Sequence, residues 1–200
     1  MTKRSLPRSR MARLKRSLPR NFRVEGRNIH LRPIRISDAT PRYCAWLNDP
    51  EVNKFTESRY QRSTLAGVRK YVAAALKSPS NFFFTITENS TGEHIGNIKI
   101  DSTVNPHWDH RVGEIGLLIG EKRCWGKGYG SEAIRLIRRF AFDRLKLIKV
   151  TATCFAINKG SAQAFRKAGF REQIVRRRNG WFRGKCIDLI LFGAMNPRFK

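Results

Sequence analysis

Acidic side chains are scarce in this sequence of 200 residues, where 15 Asp and Glu stand against 41 Lys and Arg for a formal net charge of +26. Long apolar runs are lacking too. No stretch approaches the roughly 20 consecutive apolar residues that cross a bilayer, and the N-terminus lacks the apolar run of a secretion signal. We therefore expect a soluble cytoplasmic protein with no membrane contact, whose charge favours anionic partners.

Cysteine is also sparse and scattered. The four cysteines form no Cys-x-x-Cys pair and have no nearby histidine cluster at the spacing of metal ligands. They are Cys44, Cys124, Cys154 and Cys186. We expect reduced thiols that mostly pack in the core, and we predict no metal site.

The length and the 40% hydrophobic content are those of one compact domain. Residues 1–27 hold ten basic side chains and a single acid, Glu25. We predict that they form a disordered basic arm, because so few apolar groups cannot offset the entropy of ordering, and that residues 28–200 form the folded domain. Four interpretations of the arm remain open: an RNA- or ribosome-binding segment, a solvated extension, a start assigned upstream of Met11, or an organelle transit peptide.

Periodicity along the chain predicts alternating groups of strands and helices. Strands are predicted near residues 29–34, 82–87, 95–100, 112–119, 148–155, 171–176 and 186–192. Helices are predicted after a cap at Ser37 or Asp38, over 63–76, from Gly130 to about Leu145, and over 161–168. This order indicates a mixed α/β (α+β) sheet that begins as an antiparallel meander.

A glycine-rich segment, Trp125-Gly126-Lys127-Gly128-Tyr129-Gly130-Ser131-Glu132, lies between a predicted strand and the longest predicted helix. Glycines let backbone N–H groups approach a ligand, and a helix N-terminus attracts anions. Lys127 can add a positive charge. The segment matches neither the P-loop spacing nor the Gly-x-Gly-x-x-Gly of dinucleotide-binding folds. It is either a phosphate site or a turn that only starts a helix.

This segment resembles motif A of the GNAT superfamily of N-acetyltransferases, Gln/Arg-x-x-Gly-x-Gly/Ala, with Trp125 in place of the Gln or Arg. A second block, from Asn158 to Phe170, is similar to motif B of that family. The Leu31-Arg32-Pro33 segment and residues 46–52 resemble the branch related to ribosomal-protein N-terminal acetyltransferases, the RimJ and RimL type. The resemblance implies a GNAT fold with a mixed, mostly antiparallel sheet of about 6–7 strands flanked by helices.

The same resemblance implies a coenzyme site for acetyl-CoA. Backbone amides of the glycine segment would hold the CoA diphosphate, and exposed backbone of the preceding strand would bind the pantetheine arm and polarise the thioester carbonyl. Asn158 would contact the pantetheine, although Asn also caps helices well, and Phe165 would pack beside it. The implied coenzyme-binding residues are Leu118, Ile119, Gly120, Gly126, Lys127, Gly128, Tyr129, Gly130, Ser131, Asn158 and Phe165.

Acetylation of an amine needs a base, because alkylamines with a pKa of about 10 are protonated at neutral pH. Glu114 is the candidate, since it precedes the glycine segment at an offset similar to that of the general-base glutamate in histone acetyltransferases of the superfamily. Alternatively, Glu114 binds a cationic substrate or pairs with Arg111. His94, His107 and His110 are weaker candidates. Motif B has Phe165 at or next to the position where many members have a tyrosine acid, so no general acid is identified.

Three functions remain open at this stage. The first is acetyl-CoA-dependent N-acetylation of a primary amine in a small molecule, such as an amino sugar or a polyamine. The second is acetylation of protein N-termini, for which a ribosomal partner suits the basic surface. The third is a non-catalytic nucleic-acid-binding protein that uses the basic arm and the cluster Arg176-Arg177-Arg178. An oligomer is compatible with all three.

Overall fold

The computed structural model of the chain describes residues 8–102 and 111–199. Within them, eight strands form one sheet in the order β1-β2-β3-β4-β5-β6-β8-β7, and every neighbouring pair is antiparallel except β5 with β6. The strands are β1 (Val24–Glu25), β2 (Ile29–Pro33), β3 (Asn81–Glu88), β4 (His94–Asp101), β5 (Val112–Ile119), β6 (Lys149–Phe155), β7 (Arg171–Phe182) and β8 (Lys185–Met195). The helices are α1 (Arg8–Ser17), α2 (Pro41–Asn48), α3 (Pro50–Asn53), α4 (Leu65–Lys77), α5 (Tyr129–Asp143) and α6 (Lys159–Lys167). The predicted fold class is confirmed, although the sheet has eight strands and not the predicted 6–7, because the two-residue β1 adds an edge.

Helices cover both faces of the sheet because each has one apolar stripe. On one face, α5 buries Ile134, Ile137 and Phe140 in a large core shared with β3, β4 and β6. On the other face, α2 and α4 bury a smaller cluster that includes Trp46 and Val72. The sheet is therefore enclosed between two hydrophobic layers.

The helix caps explain where α2 and α4 begin. Thr64 accepts a hydrogen bond from the Gly67 N–H at 3.1 Å and caps α4. The cap of α2 is Thr40, so the prediction of Ser37 or Asp38 as the cap is wrong. Asp38 instead accepts two hydrogen bonds from Arg32, at 2.6 and 2.7 Å, because a buried carboxylate is stabilised by a paired guanidinium.

The N-terminal segment differs from the prediction of a disordered arm. Residues 8–17 form α1, and Met11 is buried in the large core with Leu14 packed beside it. The Lys15 ammonium donates to the carbonyls of Ala75, Ser78 and Asn81, each at 2.7 Å. A few apolar side chains at helical spacing and one lysine with three acceptors therefore order a segment whose composition predicts disorder. Residues 1–7 lie outside the described residues.

Strand β7 is also longer than predicted, because it continues past Arg176 to Phe182 in a hairpin with β8. The pairing register shifts between Arg176 and Gly180, which hides the period-two pattern from a sequence reading. No helix in the described part of the chain is long and apolar enough to cross a membrane.

Candidate active site

A wedge-shaped cleft opens between β5 and β6. Their parallel pairing ends where Glu114 faces Thr151, after three positions, although β5 continues to Ile119 and β6 to Phe155. The outer edges of the two strands are occupied by β4 and β8. The inner edges beyond Glu114 are thus separated strand edges whose backbone groups can hydrogen-bond to an extended ligand.

The end of β5 provides less free backbone than predicted. Leu118 packs against the α2–α4 cluster, and the Ile119 carbonyl accepts a hydrogen bond from the Trp125 indole at 2.9 Å. The Gly120 N–H donates to the Ile95 carbonyl at 2.9 Å. The prediction that the Gly120 backbone binds the pantetheine arm is therefore wrong for its N–H group.

Gly120 is required for packing. A Cβ at this position would lie 2.0 Å from Cδ2 of Trp46, far inside van der Waals contact. The indole of Trp46 also donates to Glu121 at 2.9 Å. Glycine at 120 therefore allows α2 to pack directly against the end of β5.

The glycine segment forms an open loop that leads into α5. Gly126 and Gly128 have φ values of +76° and +85°, the left-handed region in which a side chain is strained. A Cβ on Gly126 would meet no atom within 4 Å, and one on Gly128 would meet only Ser131 Oγ at 4.0 Å. The space above the loop is thus open to a ligand.

The backbone N–H groups of residues 126–131 donate to no protein acceptor among the described residues. The first helical bond of α5 runs from the Glu132 N–H to the Gly128 carbonyl. Unpartnered amides at a helix N-terminus form a site for an anion such as a phosphate. Lys127 is exposed beside them, so the predicted loop residues lie together at the N-terminus of α5.

Buried hydrogen bonds fix the first turn of α5. The Glu132 carboxylate accepts from the backbone N–H and the side-chain amide of Asn28, both at 2.9 Å. Burial raises the pKa of Glu132, but hydrogen bonds from Asn28 and from the backbone N–H groups of Ile29 and Arg27 lower it overall. The ionised carboxylate therefore anchors the helix that carries the amides.

Ion pairs hold the segment before the glycines against α2 and α3. Glu121 accepts a hydrogen bond from Arg42 at 2.6 Å, and Lys122 pairs with Asp49 at 2.8 Å and with Glu51. These contacts are partly exposed, so each contributes little by itself. Together they tie this segment to α2 and α3 at several points.

A buried carboxylate that the sequence reading missed lies under the loop. Glu88 accepts hydrogen bonds from Arg123 at 2.8 Å, Thr91 at 2.9 Å and Tyr129 at 2.9 Å. The hydrogen bonds from Arg123, then Thr91 and Tyr129, lower the pKa of Glu88 to about 2. The hydrogen bond from Tyr129 thus holds the loop against Glu88. Glu88 is 41 residues from Tyr129, and no local sequence signal connects them.

Glu114 lies at the apex of the cleft, where β5 and β6 begin to separate. Its side chain is half-buried, and no cation among the described residues lies within 4.0 Å of its carboxylate. Arg111 instead donates to the Lys146 carbonyl at 3.3 Å and covers the ring of Phe199. The alternative of a Glu114–Arg111 pair is therefore not observed.

The two motif B residues occupy different environments. Asn158 accepts a hydrogen bond from the Ser161 N–H at 3.2 Å and caps α6, while its side chain remains half-exposed. Phe165 is 3% exposed and stacks on Phe192 at 5.6 Å. The prediction that Phe165 packs beside the pantetheine arm disagrees with this burial, because the ring belongs to the core.

His94 packs edge-on against Trp46, with ring centroids 5.0 Å apart, and contacts Asn97 at 3.0 Å. Burial lowers the pKa of His94. It lies under α2 and not in the cleft, so its position does not suit proton transfer there. His107 and His110 lie outside the described residues. Within residues 8–102 and 111–199, no group of three or more His, Cys, Asp or Glu side chains is arranged to hold a metal ion.

Comparison with known proteins adds independent information. A family profile described as an acetyltransferase (GNAT) domain matches residues 28–171. The probable N-acetyltransferase YjcK of Bacillus subtilis is 26% identical over 181 residues, which cover 87% of this chain and 97% of that protein.

Two solved structures share the fold. The ribosomal-protein-S5-alanine acetyltransferase from Vibrio fischeri superposes with a TM-score of 0.72 at 19% identity, covering 90% of this chain and 100% of that chain. The spermidine N-acetyltransferase from Vibrio cholerae, solved with CoA and spermine, gives a TM-score of 0.73 at 15% identity, covering 86% and 98%. At these identities the structures establish the architecture, and the family profile establishes the relationship.

Proposed function

This chain belongs to the GNAT family of N-acetyltransferases, and on that premise we propose that it transfers the acetyl group of acetyl-CoA to a primary amine of a small molecule. The observation that carries the proposal is the cleft between β5 and β6, with unpartnered amides at one end and an unpaired carboxylate at its apex. Family membership and the named relatives make the chain an enzyme, so the reading as a non-catalytic nucleic-acid-binding protein is wrong.

Two features of the glycine loop suit it to bind the coenzyme. The N–H groups of residues 126–131 lack acceptors in the described part of the chain, and the positive φ values of Gly126 and Gly128 keep side chains out of the space above them. We assign these amides to the CoA diphosphate, with Lys127 adding a positive charge. The inner edge of β5, including Ile119, would bind the pantetheine arm, and Asn158 would lie beside it.

Acetyl-CoA supplies the acetyl group as a thioester. Glu114 accepts the proton of the incoming ammonium, directly or through one water molecule, because only the neutral amine has the lone pair needed for attack. Backbone N–H groups of β5 stabilise the negative charge on the carbonyl oxygen. A thiol pKa near 8.5 makes the leaving thiolate tolerable without a dedicated acid, which is compatible with the burial of Phe165.

The net charge of the protein favours some acceptor amines over others. A protein of charge +26 repels polycations at long range. We therefore expect amino sugars and other monoamines to react faster than polyamines. A release assay for the CoA thiol, run with acetyl-CoA and a panel of amino sugars, polyamines and short peptides, tests this order. Thiol release with none of these amines would contradict the proposal.

The same assay separates the second candidate, a protein N-terminal acetyltransferase. The observation that favours it is the basic surface, which suits an acceptor bound to a ribosome. Release with peptides that carry a free α-amine, and not with amino sugars, would replace the first proposal with this one.

The role of Glu114 is tested with the Glu114→Gln variant. We expect kcat to fall by about 10²- to 10⁴-fold, with part of the loss recovered at high pH, where more of the free amine is neutral. The control is Glu25→Gln, which removes an exposed carboxylate outside the cleft. Equal activity of the two variants would remove Glu114 from the mechanism.

The coenzyme site is tested with Gly128→Glu, measured by calorimetry with CoA. We expect no measurable affinity, because a carboxylate beside the amides repels the diphosphate. The control is Gly184→Glu in the β7–β8 turn, where φ is +77° and the surrounding space is also open. The strain is similar at both positions, so equal CoA affinity of the two variants would contradict the assignment of the loop.

A further inference from the structure

A strongly basic surface runs along the β7–β8 hairpin. We call residues 171–188 the hairpin surface. Six of its side chains are exposed cations, and only two are carboxylates, Glu172 and Asp188. The cations are Arg171, Arg176, Arg177, Arg178, Arg183 and Lys185.

The two carboxylates of the hairpin surface are already neutralised. Glu172 pairs with Arg166 of α6, and Asp188 accepts hydrogen bonds from the Arg177 side chain at 2.7 Å and from the Arg178 N–H at 2.9 Å. In the described part of the chain, the other five cations of the surface have no carboxylate within 4.0 Å. Their charge is therefore available to an external anion.

Exposed aromatic rings lie at the tip of the same surface. Trp181 is 58% exposed and Tyr60 is 61% exposed. The Arg59 guanidinium covers the Tyr60 ring at 4.2 Å and donates to the Trp181 carbonyl at 3.3 Å. The first contact holds the Tyr60 ring, and the second ties the backbone of Trp181 to the same guanidinium. Planar groups can stack on exposed rings of this kind.

Strand β7 is an edge strand, and such an edge can pair with a second chain. Here the register shift between Arg176 and Gly180 and the positive φ of Arg178, 51°, interrupt a regular edge. A second copy would also bring an equal positive charge against this one. A polyanion, in contrast, finds cations along a strand of 12 residues, or about 40 Å at roughly 3.3 Å per residue.

We propose that the hairpin surface binds single-stranded RNA, with its cations on the phosphates and with Trp181 and Tyr60 stacked on bases. Free cations along a linear edge beside exposed rings are the combination that binds single strands. Single-stranded RNA segments present the unstacked bases that such rings need.

The test is fluorescence anisotropy of the full-length chain with a labelled 12-nucleotide uridine RNA between 50 and 200 mM KCl. In the variant Arg171→Gln/Arg176→Gln/Arg183→Gln, we expect the slope of log K against log salt to decrease by about 2, since each phosphate contact contributes about 0.7 for a single strand. The matched control replaces three exposed arginines outside the hairpin by Gln: Arg23, Arg27 and Arg69. An equal loss in the control would overturn the proposal, because the attraction would then be diffuse.

Stacking is tested separately with Trp181→Ala. We expect about 5- to 150-fold weaker binding, the effect of losing one stacked base, with the salt slope unchanged. Circular dichroism checks that each variant is folded. Competition by polyglutamate as strong as by unlabelled RNA, or equal affinity for a labelled 12-nucleotide thymidine DNA, would overturn the assignment to single-stranded RNA.

Discussion

Replacement of Gly120 by alanine tests the contact between the end of β5 and α2. The new Cβ would lie 2.0, 2.4 and 2.5 Å from three atoms of the Trp46 indole. Ordinary contact begins near 3.4 Å, so the indole must move by about 1.4 Å (3.4 − 2.0). A shift of that size strains or breaks its 2.9 Å hydrogen bond to Glu121.

Two effects determine how much Gly120→Ala should lower the free energy of unfolding. Overpacking a close contact costs about 1–3 kcal/mol, and the loss of a hydrogen bond to a carboxylate costs about 1.5–3 kcal/mol. The free energy of unfolding should therefore fall by about 2.5–6 kcal/mol, a large share of the roughly 5–15 kcal/mol of an ordinary domain. Urea unfolding followed by circular dichroism measures it.

A double-mutant cycle with Trp46→Ala tests whether the clash with the indole causes this loss of stability. Without the indole there is nothing to clash with, so Gly120→Ala should cost less than about 1 kcal/mol in that background. Sucrose in all samples keeps the weakened variants folded. An equal cost in both backgrounds would refute the packing explanation. A loss of CoA affinity at unchanged stability would instead restore Gly120 to the coenzyme site.

Two pH-dependent predictions concern buried charges. The hydrogen bond from Arg123 lowers the folded-state pKa of Glu88 to about 2, so its stabilisation is complete above the unfolded value of about 4.3 and is lost as the pH falls toward 2. The difference in the free energy of unfolding between the wild type and Glu88→Gln should shrink from pH 5 to pH 3 in urea titrations, and a constant difference would contradict this. Burial lowers the pKa of Lys15 to about 8, below its unfolded value of about 10.4, so the unfolded chain binds more protons between those values. The wild type should gain stability relative to Lys15→Met as the pH rises from 8 to 10, and parallel pH profiles would count against it.

Local patterns in the sequence accounted for most of the elements. The apolar spacing of Val68, Val72 and Ala75 predicts α4, and the glycines before Tyr129 predict the start of α5, because both signals depend on residues within a few turns. The predictions failed where a distant group decides the outcome. Asp38 pairs with Arg32 and does not cap α2.

Predictions for the candidate active site also succeeded where the signal is local and failed where distant groups decide. Positive φ values and unpartnered amides at Gly126 and Gly128 follow from the glycine spacing, which is local. The roles of Gly120 and Phe165 could not be predicted, because they depend on Trp46 and Phe192. The sequence alone does not distinguish a packing role from a coenzyme contact at either residue.

The sequence by itself determined the mixed sheet, the glycine loop at the start of α5 and the excess of positive charge, because periodicity, glycine conformation and composition are properties of neighbouring residues. Only the tertiary structure decided that β5 and β6 separate after Glu114, that Glu88 lies under Tyr129, and that α1 is anchored by Lys15. Each of these depends on groups from distant segments meeting at hydrogen-bonding distance. Backbone geometry and burial create such contacts when the whole chain folds.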